Sequence, residues 1–314
     1  MASLNDIASW GALNTQGFSL PSFSYSVGGK AVCVSGMVDV PVIATTFDVL
    51  YKGPANNYEL TEFITGFFRR ESDILATSIG DSKTINSTFA IYTKLCLPAD
   101  LQAPPHRNSV QFLTHGGTLD HTYWEFAPEY SYVDVAAAKG FATFSYDRLG
   151  AAKSAHADPW QHLQMSVQKD IAHKLIQMLR SGNIGGITFR HIVGVGHSLG
   201  AALTQAVSGD YPSDFDAIAL TGHSAFSVGA STGFAAAAQQ IANTLPDRPE
   251  LKDLPNGYYT LGPIPQTLQF GFFYYPHFDI ESEFPTSICM IVLIEWQSLS
   301  KNLELARPMQ LAKH

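Results

Sequence analysis

The chain has 314 residues, room for one large domain or two ordinary ones, and its 46% hydrophobic and 15% charged content is that of a folded globule rather than a disordered segment. A formal net charge of -8 without any basic run excludes a general nucleic-acid binder, which needs clustered Lys and Arg. No apolar run approaches the length of a membrane span, so a transmembrane protein is not expected.

The opening "MASLNDIASWGALNTQGFSL" has no basic segment followed by an apolar stretch, so a cytoplasmic setting is expected. The cysteines Cys33, Cys96 and Cys289 are odd in number and lack Cys-x-x-Cys spacing. Reduced buried thiols are therefore expected, with a Cys33–Cys96 bridge as the alternative. One sequon, Asn86-Ser87-Thr88, matters only in a secreted chain.

Residues 1–86 read as an N-terminal extension with a first strand, "MVDVPVIATTFDVLY" (Met37–Tyr51), and a helix within Asn56–Asp73. A core is expected over 87–224. Ser87–Pro98 alternates as a half-buried strand, and "SVQFLTHGG" (Ser109–Gly117) is a buried strand entering a glycine turn. Tyr132–Gly140 reads as a short helix stopped by Gly140, and "FATFSYDRLG" (Phe141–Gly150) as a strand and its loop. Leu163, Val167, Ile171, Leu175 and Leu179 recur at helical spacing. "HIVGVGHS" and "DAIALTGHS" (Asp216–Ser224) read as buried strands on either side of a helix starting near Leu199. Alternating strands and helices imply an α/β fold, a mostly parallel twisted sheet with helices on both faces and active loops at the strands' carboxyl ends.

Gly196-His197-Ser198-Leu199-Gly200 is G-x-S-x-G placed between a buried strand and a small-residue helix, the context a nucleophile elbow requires. Gly194, Gly196 and Gly200 also spell a dinucleotide-binding turn. That reading needs an acidic residue at the end of the next strand, where Thr221, Gly222 and His223 stand instead. Upstream, His115-Gly116-Gly117 ends a strand and suits the second oxyanion donor, because glycine lets backbone N–H groups approach a substrate closely. Asp147-Arg148-Leu149-Gly150 ends the following strand.

"LTHGG", "YW", "YSYVDVAAA", "DRLG" and "GHSLG", in this order over residues 87–224, resemble the α/β-hydrolase superfamily, most nearly its fungal serine hydrolases. The resemblance implies an eight-stranded sheet, a helical lid after the sixth strand, and a Ser-His-acid triad with no cofactor and no metal. It further implies hydrolysis of an ester, lactone or thioester, and secondary-metabolite biosynthesis is a frequent setting. Ser198 would be the nucleophile, Leu199 and Gly117 (or Gly116) would lend oxyanion amides, and Asp147 and Arg148 would organise the loop. His115 and His223 would line the binding site, with His197 turned away as packing.

The tail departs from the pattern. A lid is expected over 225–284 and a divergent or truncated tail over 285–314, with Ser287–Trp296 as its strand candidate. Of the histidines after Ser198, His277 with Asp279 beside it is taken as the base–acid pair. His223 and His314 remain the alternative bases, and Asp247, Asp253 and Glu295 the alternative acids. Aromatic residues from Phe226 to Phe278 would pack the lid and line a pocket for a bulky apolar small molecule. The expected function is a serine hydrolase; the alternative is a non-hydrolytic member of the fold that holds a hydrophobic intermediate. Oligomeric state is not legible.

Overall fold

The computed structural model describes residues 13–67, 69, 71, 73–100, 108–224, 237–261, 269, 273–274 and 276–277. A seven-stranded sheet organises them. Its antiparallel part is β1 (Ser19–Tyr25), β2 (Ala31–Val49) and β3 (Ile79–Pro98). Its parallel part is β4 (Ser109–Thr114), β5 (Ala142–Tyr146), β6 (His191–His197) and β7 (Ala217–Thr221). The hydrogen-bonded order is β1-β2-β3-β5-β4-β6-β7. With its flanking helices this mixed sheet is the expected α/β architecture.

The pattern of β2 follows from what covers it. Ala31–Gly36 are buried throughout, because helices lie on both sides of the sheet there. Beyond Met37 one face alone is covered. Val38, Val40, Val42 and Ala44 turn into the core, while Asp39, Pro41, Ile43 and Thr45 stay exposed. This is the period-2 alternation that marked the segment as a strand.

Helix α1 (Asn57–Phe67) starts where Asn56 Oδ1 accepts the amides of Tyr58 and Glu59, both at 3.0 Å. Glu59 reaches back to the Ala55 amide at 2.8 Å, so the first turn is closed reciprocally. A short helix, α2 (Ile74–Ser78), precedes β3, and α3 (Tyr132–Ala138) precedes β5. The long amphipathic helix α4 (Met165–Ser181) buries Val167, Ile171, Leu175 and Leu179. It ends at Gly182, whose φ of 75° is one an L side chain resists. Helix α5 (Leu199–Asp210) follows the elbow. Helices α4 and α5 share one core with Val34, Phe112, Phe144 and Ile192, while Val133 and Ala137 of α3 pack with Ala31, Leu113 and Val195 on the opposite face.

Three expectations meet different outcomes. Strand β7 is not buried: Ala217, Ile218, Ala219 and Thr221 are all exposed. It pairs with β6 along one edge only, among the described residues, and an edge strand is covered only if something packs against it. The boundary placed at 86/87 lies inside β3, so the first 86 residues supply strands to the same sheet that carries the glycine motifs. The third concerns the cysteines. Cys33 and Cys96 face each other across β2 and β3 and form a disulfide. The odd number of cysteines and the lack of Cys-x-x-Cys spacing point to reduced thiols, but 63 residues separate the two in sequence and the hairpin register brings them together.

Residues 237–261, within the expected lid, hold a two-stranded ribbon of β8 (Gln240–Ile241) and β9 (Tyr259–Thr260). Ile241 and Tyr259 pack with Val49, Leu60, Phe63 and Trp160, and Tyr258 joins the main core. The aromatics Tyr258 and Tyr259 therefore serve packing. The expected strand Ser287–Trp296 and the tail over 285–314 lie outside the described residues. No described helix is long and apolar enough to cross a membrane.

The disulfide yields a direct expectation. Without reductant the denatured chain titrates one thiol, not three. Replacing both Cys33 and Cys96 by Ala lowers the unfolding free energy by roughly 2–4 kcal/mol, measured by urea denaturation; three titratable thiols would contradict the bond.

Candidate active site

Register brings the three motifs together. In the parallel pairing, Thr114 of β4 lies beside Gly196 of β6 and beside Tyr146 of β5. Two residues further along, Gly116 stands next to Ser198 on one side and Arg148 on the other. A Cβ placed on Gly116 would sit 3.2 Å from the Ser198 Cβ and 3.2 Å from the His197 carbonyl oxygen. Because β4 lies between β5 and β6 in the sheet, the loops leaving β4 and β6 meet at a topological switch point, where open α/β sheets bind ligands.

Ser198 adopts φ 53° and ψ -119° between β6 and α5. This backbone region is costly for a residue with a Cβ, by about 1–3 kcal/mol, and it persists only where the surroundings enforce it. They do so through absent side chains. A Cβ on Gly196 would come within 2.5 Å of the Ala201 Cα and the Gly200 carbonyl oxygen. One on Gly200 would come within 2.2 Å of the Thr114 carbonyl oxygen. The turn is thus wedged between β4 and its own helix, and Ser198 is left partly exposed at the tip. The amide of Leu199 opens α5 and has no carbonyl one turn earlier in the helix to bond. It therefore remains available to a developing negative charge beside Ser198.

The glycine loop after β4 is fixed by buried polar contacts. The His115 ring accepts the Arg148 amide at Nε2 (3.0 Å), which leaves Nδ1 to donate to the Gly116 carbonyl oxygen at 2.8 Å. Burial first, and the neighbouring Arg148 charge second, push His115 down to about 3. The ring is neutral at physiological pH. The Arg148 side chain donates to the same Gly116 carbonyl at 3.2 Å. With this carbonyl held from two directions, the Gly117 amide, which shares its peptide plane, is set by the loop and not by a ligand.

Asp147 anchors the arrangement from behind. Its carboxylate accepts the His121 amide at 2.8 Å, His121 Nδ1 at 2.7 Å and the Lys153 amide at 3.1 Å. Burial pushes its carboxyl up, but the hydrogen bonds from His121 outweigh that and hold it below the usual value. The contribution of His121 has no counterpart in the sequence reading. Its only local sign is Asp120, which caps the 3-10 turn His121–Trp124 by accepting the Thr122 amide at 2.7 Å. Asp120, His121 and Asp147 bring their donor atoms within 4.8 Å of one another, a spacing that suits a metal ion. Those of Asp120 and Asp147 are already engaged in the hydrogen bonds just described.

The remaining site candidates are dispersed. His197 stacks on Tyr123 (centroids 4.7 Å apart) and bonds Thr221 Oγ1 at 3.1 Å, and burial lowers its basicity. It packs, as its place in the elbow implies. His223 is exposed and bonds Gln205 of α5 at 2.8 Å. His277 is exposed in a turn and stacks on Tyr274. Asp279, Glu295 and His314 lie outside the described residues, and Asp247 and Asp253 are exposed. Among the described residues, no histidine is hydrogen-bonded to the Ser198 hydroxyl.

The Alpha/beta hydrolase family model matches residues 112–296, more than half of the chain. The chain belongs to that family. The match takes in the glycine loop, the elbow and residues well beyond Ser224. Solved structures with similarity include an alpha/beta hydrolase from Novosphingobium aromaticivorans DSM 12444 (19% identity, 42% of this chain and 39% of that one, TM-score 0.32). Others are epoxide hydrolase A from Mycobacterium thermoresistibile (15%, 41% and 35%, 0.31) and proline iminopeptidase from Mycobacterium smegmatis (20%, 41% and 39%, 0.32). The chain spans about two fifths of the length of these proteins. No curated protein matches.

Two expectations follow. Gly200→Ala, which drives a Cβ into backbone, destabilises by about 3 kcal/mol or more, whereas Gly116→Ala needs shifts of only a few tenths of an ångström and costs less; thermal melts rank them. The Asp147 carboxyl is held below its usual value in the folded chain, so its contribution is complete above the ordinary carboxylate range and is lost as pH falls through the folded pKa. Asp147→Asn lowers stability by roughly 1.5–3 kcal/mol at neutral pH. The deficit shrinks in acid; urea titrations giving the same deficit at every pH would refute the assignment.

Proposed function

We propose that the chain is a serine hydrolase acting on the ester, lactone or thioester of a bulky apolar small molecule, without a metal or other cofactor. The observation that carries this reading is the conformation of Ser198, held in a strained turn with its side chain at the tip and Gly116 alongside. Strain enforced by three close backbone approaches serves no packing purpose. It does hold a hydroxyl outward beside main-chain N–H groups.

In the mechanism, Ser198 Oγ attacks the carbonyl carbon and its proton passes to a base. The oxyanion is met by the amides of Leu199 and Gly117, or Gly116, and the leaving group departs as the carbonyl reforms. Water then releases the acyl group by the same route. His277 is assigned as the base and Asp279 as the acid that orients it. His277, exposed in a turn, falls within the segment 225–284 assigned as the lid. The setting is a pathway that makes or trims apolar secondary metabolites.

A second reading, a non-hydrolytic binding member of the fold, is favoured by one fact: no described histidine meets the Ser198 hydroxyl. A serine without a base is a weak nucleophile at neutral pH. Labelling with a fluorophosphonate probe separates the two. The hydrolase reading expects covalent capture that Ser198→Ala abolishes and that His277→Ala reduces by about 10⁴-fold or more in rate. No capture by the native chain selects the binding reading; full capture by His277→Ala removes His277 from the mechanism.

A further inference from the structure

We propose that Asn86 is an N-glycosylation site and that the chain matures in an oxidising secretory compartment, in place of the cytoplasmic setting expected from its first residues. Asn86-Ser87-Thr88 is the sequence's one acceptor motif. Within β3 the motif alternates with the core: Ile85 and Phe89 are buried, while Asn86 and Thr88 are exposed on the outer face. The Asn86 carboxamide has no hydrogen-bond partner among the described residues. A bulky group on its nitrogen displaces nothing.

Two independent features support the assignment. The first is the Cys33–Cys96 disulfide on the same hairpin. Structural disulfides form and persist in the compartments where N-glycans are attached, and are rare where thiols are kept reduced. The second is what surrounds Asn86. Ile43 lies directly opposite it in the register and is 70% exposed. No strand pairs with the outer edge of β3 before Thr93, and β1 pairs with β2 no further than Met37, among the described residues. Among the described residues the far half of the hairpin has no strand along either edge. The Gln164 carboxamide meets the Phe47 peptide of β2 and the Ala155 amide bonds the Ala90 carbonyl of β3. Between those points the hairpin is a ribbon with an apolar residue on its open face, the kind of surface that pairs with another chain. A branched, strongly hydrated oligosaccharide at Asn86 covers Ile43 and blocks approach to the β3 edge.

The chemistry is a single glycosyl transfer from a lipid diphosphate-linked oligosaccharide. The Asn86 amide nitrogen forms a bond to the sugar anomeric carbon and loses one proton. The bond from that carbon to the diphosphate oxygen breaks, and the lipid diphosphate leaves with the electron pair.

The test begins with the full chain isolated from its own cells. Treatment with an amidase that releases N-glycans, in ¹⁸O water, should convert Asn86 to ¹⁸O-labelled Asp in peptide maps, and the non-reduced map should contain the Cys33–Cys96 pair. In a secretory host, Thr88→Ala should remove the glycan and raise the aggregated fraction severalfold, while Thr88→Ser retains both glycan and solubility. Native protein carrying only unmodified Asn86 overturns the proposal. A glycan that persists in Thr88→Ala overturns the assignment to this asparagine.

Discussion

The structure depends on the registration of β4 between β5 and β6. Thr114, Tyr146 and Gly196 lie abreast, so the three loops that follow leave the sheet from one line and are forced into contact. Each is short-ranged and harmless alone. Together they leave no room for side chains at Gly196 and Gly200 and almost none at Gly116. A slip of one residue in either pairing turns every side chain of the moving strand to the opposite face. It also separates the glycine loop from Ser198. The hydrophobic faces of β4 and β6, with Phe112 and Ile192 in one core and Leu113 and Val195 in the other, make that slip prohibitive. The core thereby sets the geometry of the rim.

Behind the rim lies a polar layer that a purely apolar core has no means of supplying. Asp147, Arg148 and His115 are all buried, and buried charge is tolerated only where it is paired and hydrogen-bonded. Here the acid receives three donors, and the guanidinium and the His115 imidazole both hold the Gly116 carbonyl. The gain is directional more than energetic. Apolar packing fixes a loop's position but leaves its peptide planes free to rotate, whereas a carbonyl caught by two donors cannot turn, and the amide of the next residue shares its plane. Neutral His115 is integral to this, since a protonated ring has no lone pair for the Arg148 amide.

Local sequence carried much of this arrangement and missed particular parts for identifiable reasons. The elbow was legible because its constraint is local: strand, serine between glycines and small-residue helix are contiguous, and steric exclusion leaves a compositional mark. The strands β3 to β6 and helix α4 were legible from periodicity for the same reason. His121 was not, because its partner Asp147 lies on another strand and nothing near His121 encodes the meeting. The disulfide stood only as the alternative for a like reason, since two cysteines far apart in sequence become neighbours only through hairpin register. Strand β7 looked buried because Ala, Ile and Leu are apolar, yet exposure depends on what lies beside a strand and not on its own residues. For the proposed base and acid no constraint like that of the elbow marks the sequence, which is why several histidines after Ser198 had to be weighed and no physical ground dismissed all but one.

The Cys33–Cys96 link also bears on how the molecule would respond to being pulled. A load applied at the amino end unzips β1 from the rim of the sheet pair by pair, each step opposed by a few hydrogen bonds. At Cys33 the peeling stops, because the covalent tie passes tension directly into β3 and from there to the central strands, where bonds must be sheared together. The hairpin is in that sense a mechanical clasp, and the parallel half of the sheet that carries the elbow is insulated from traction on its leading segment.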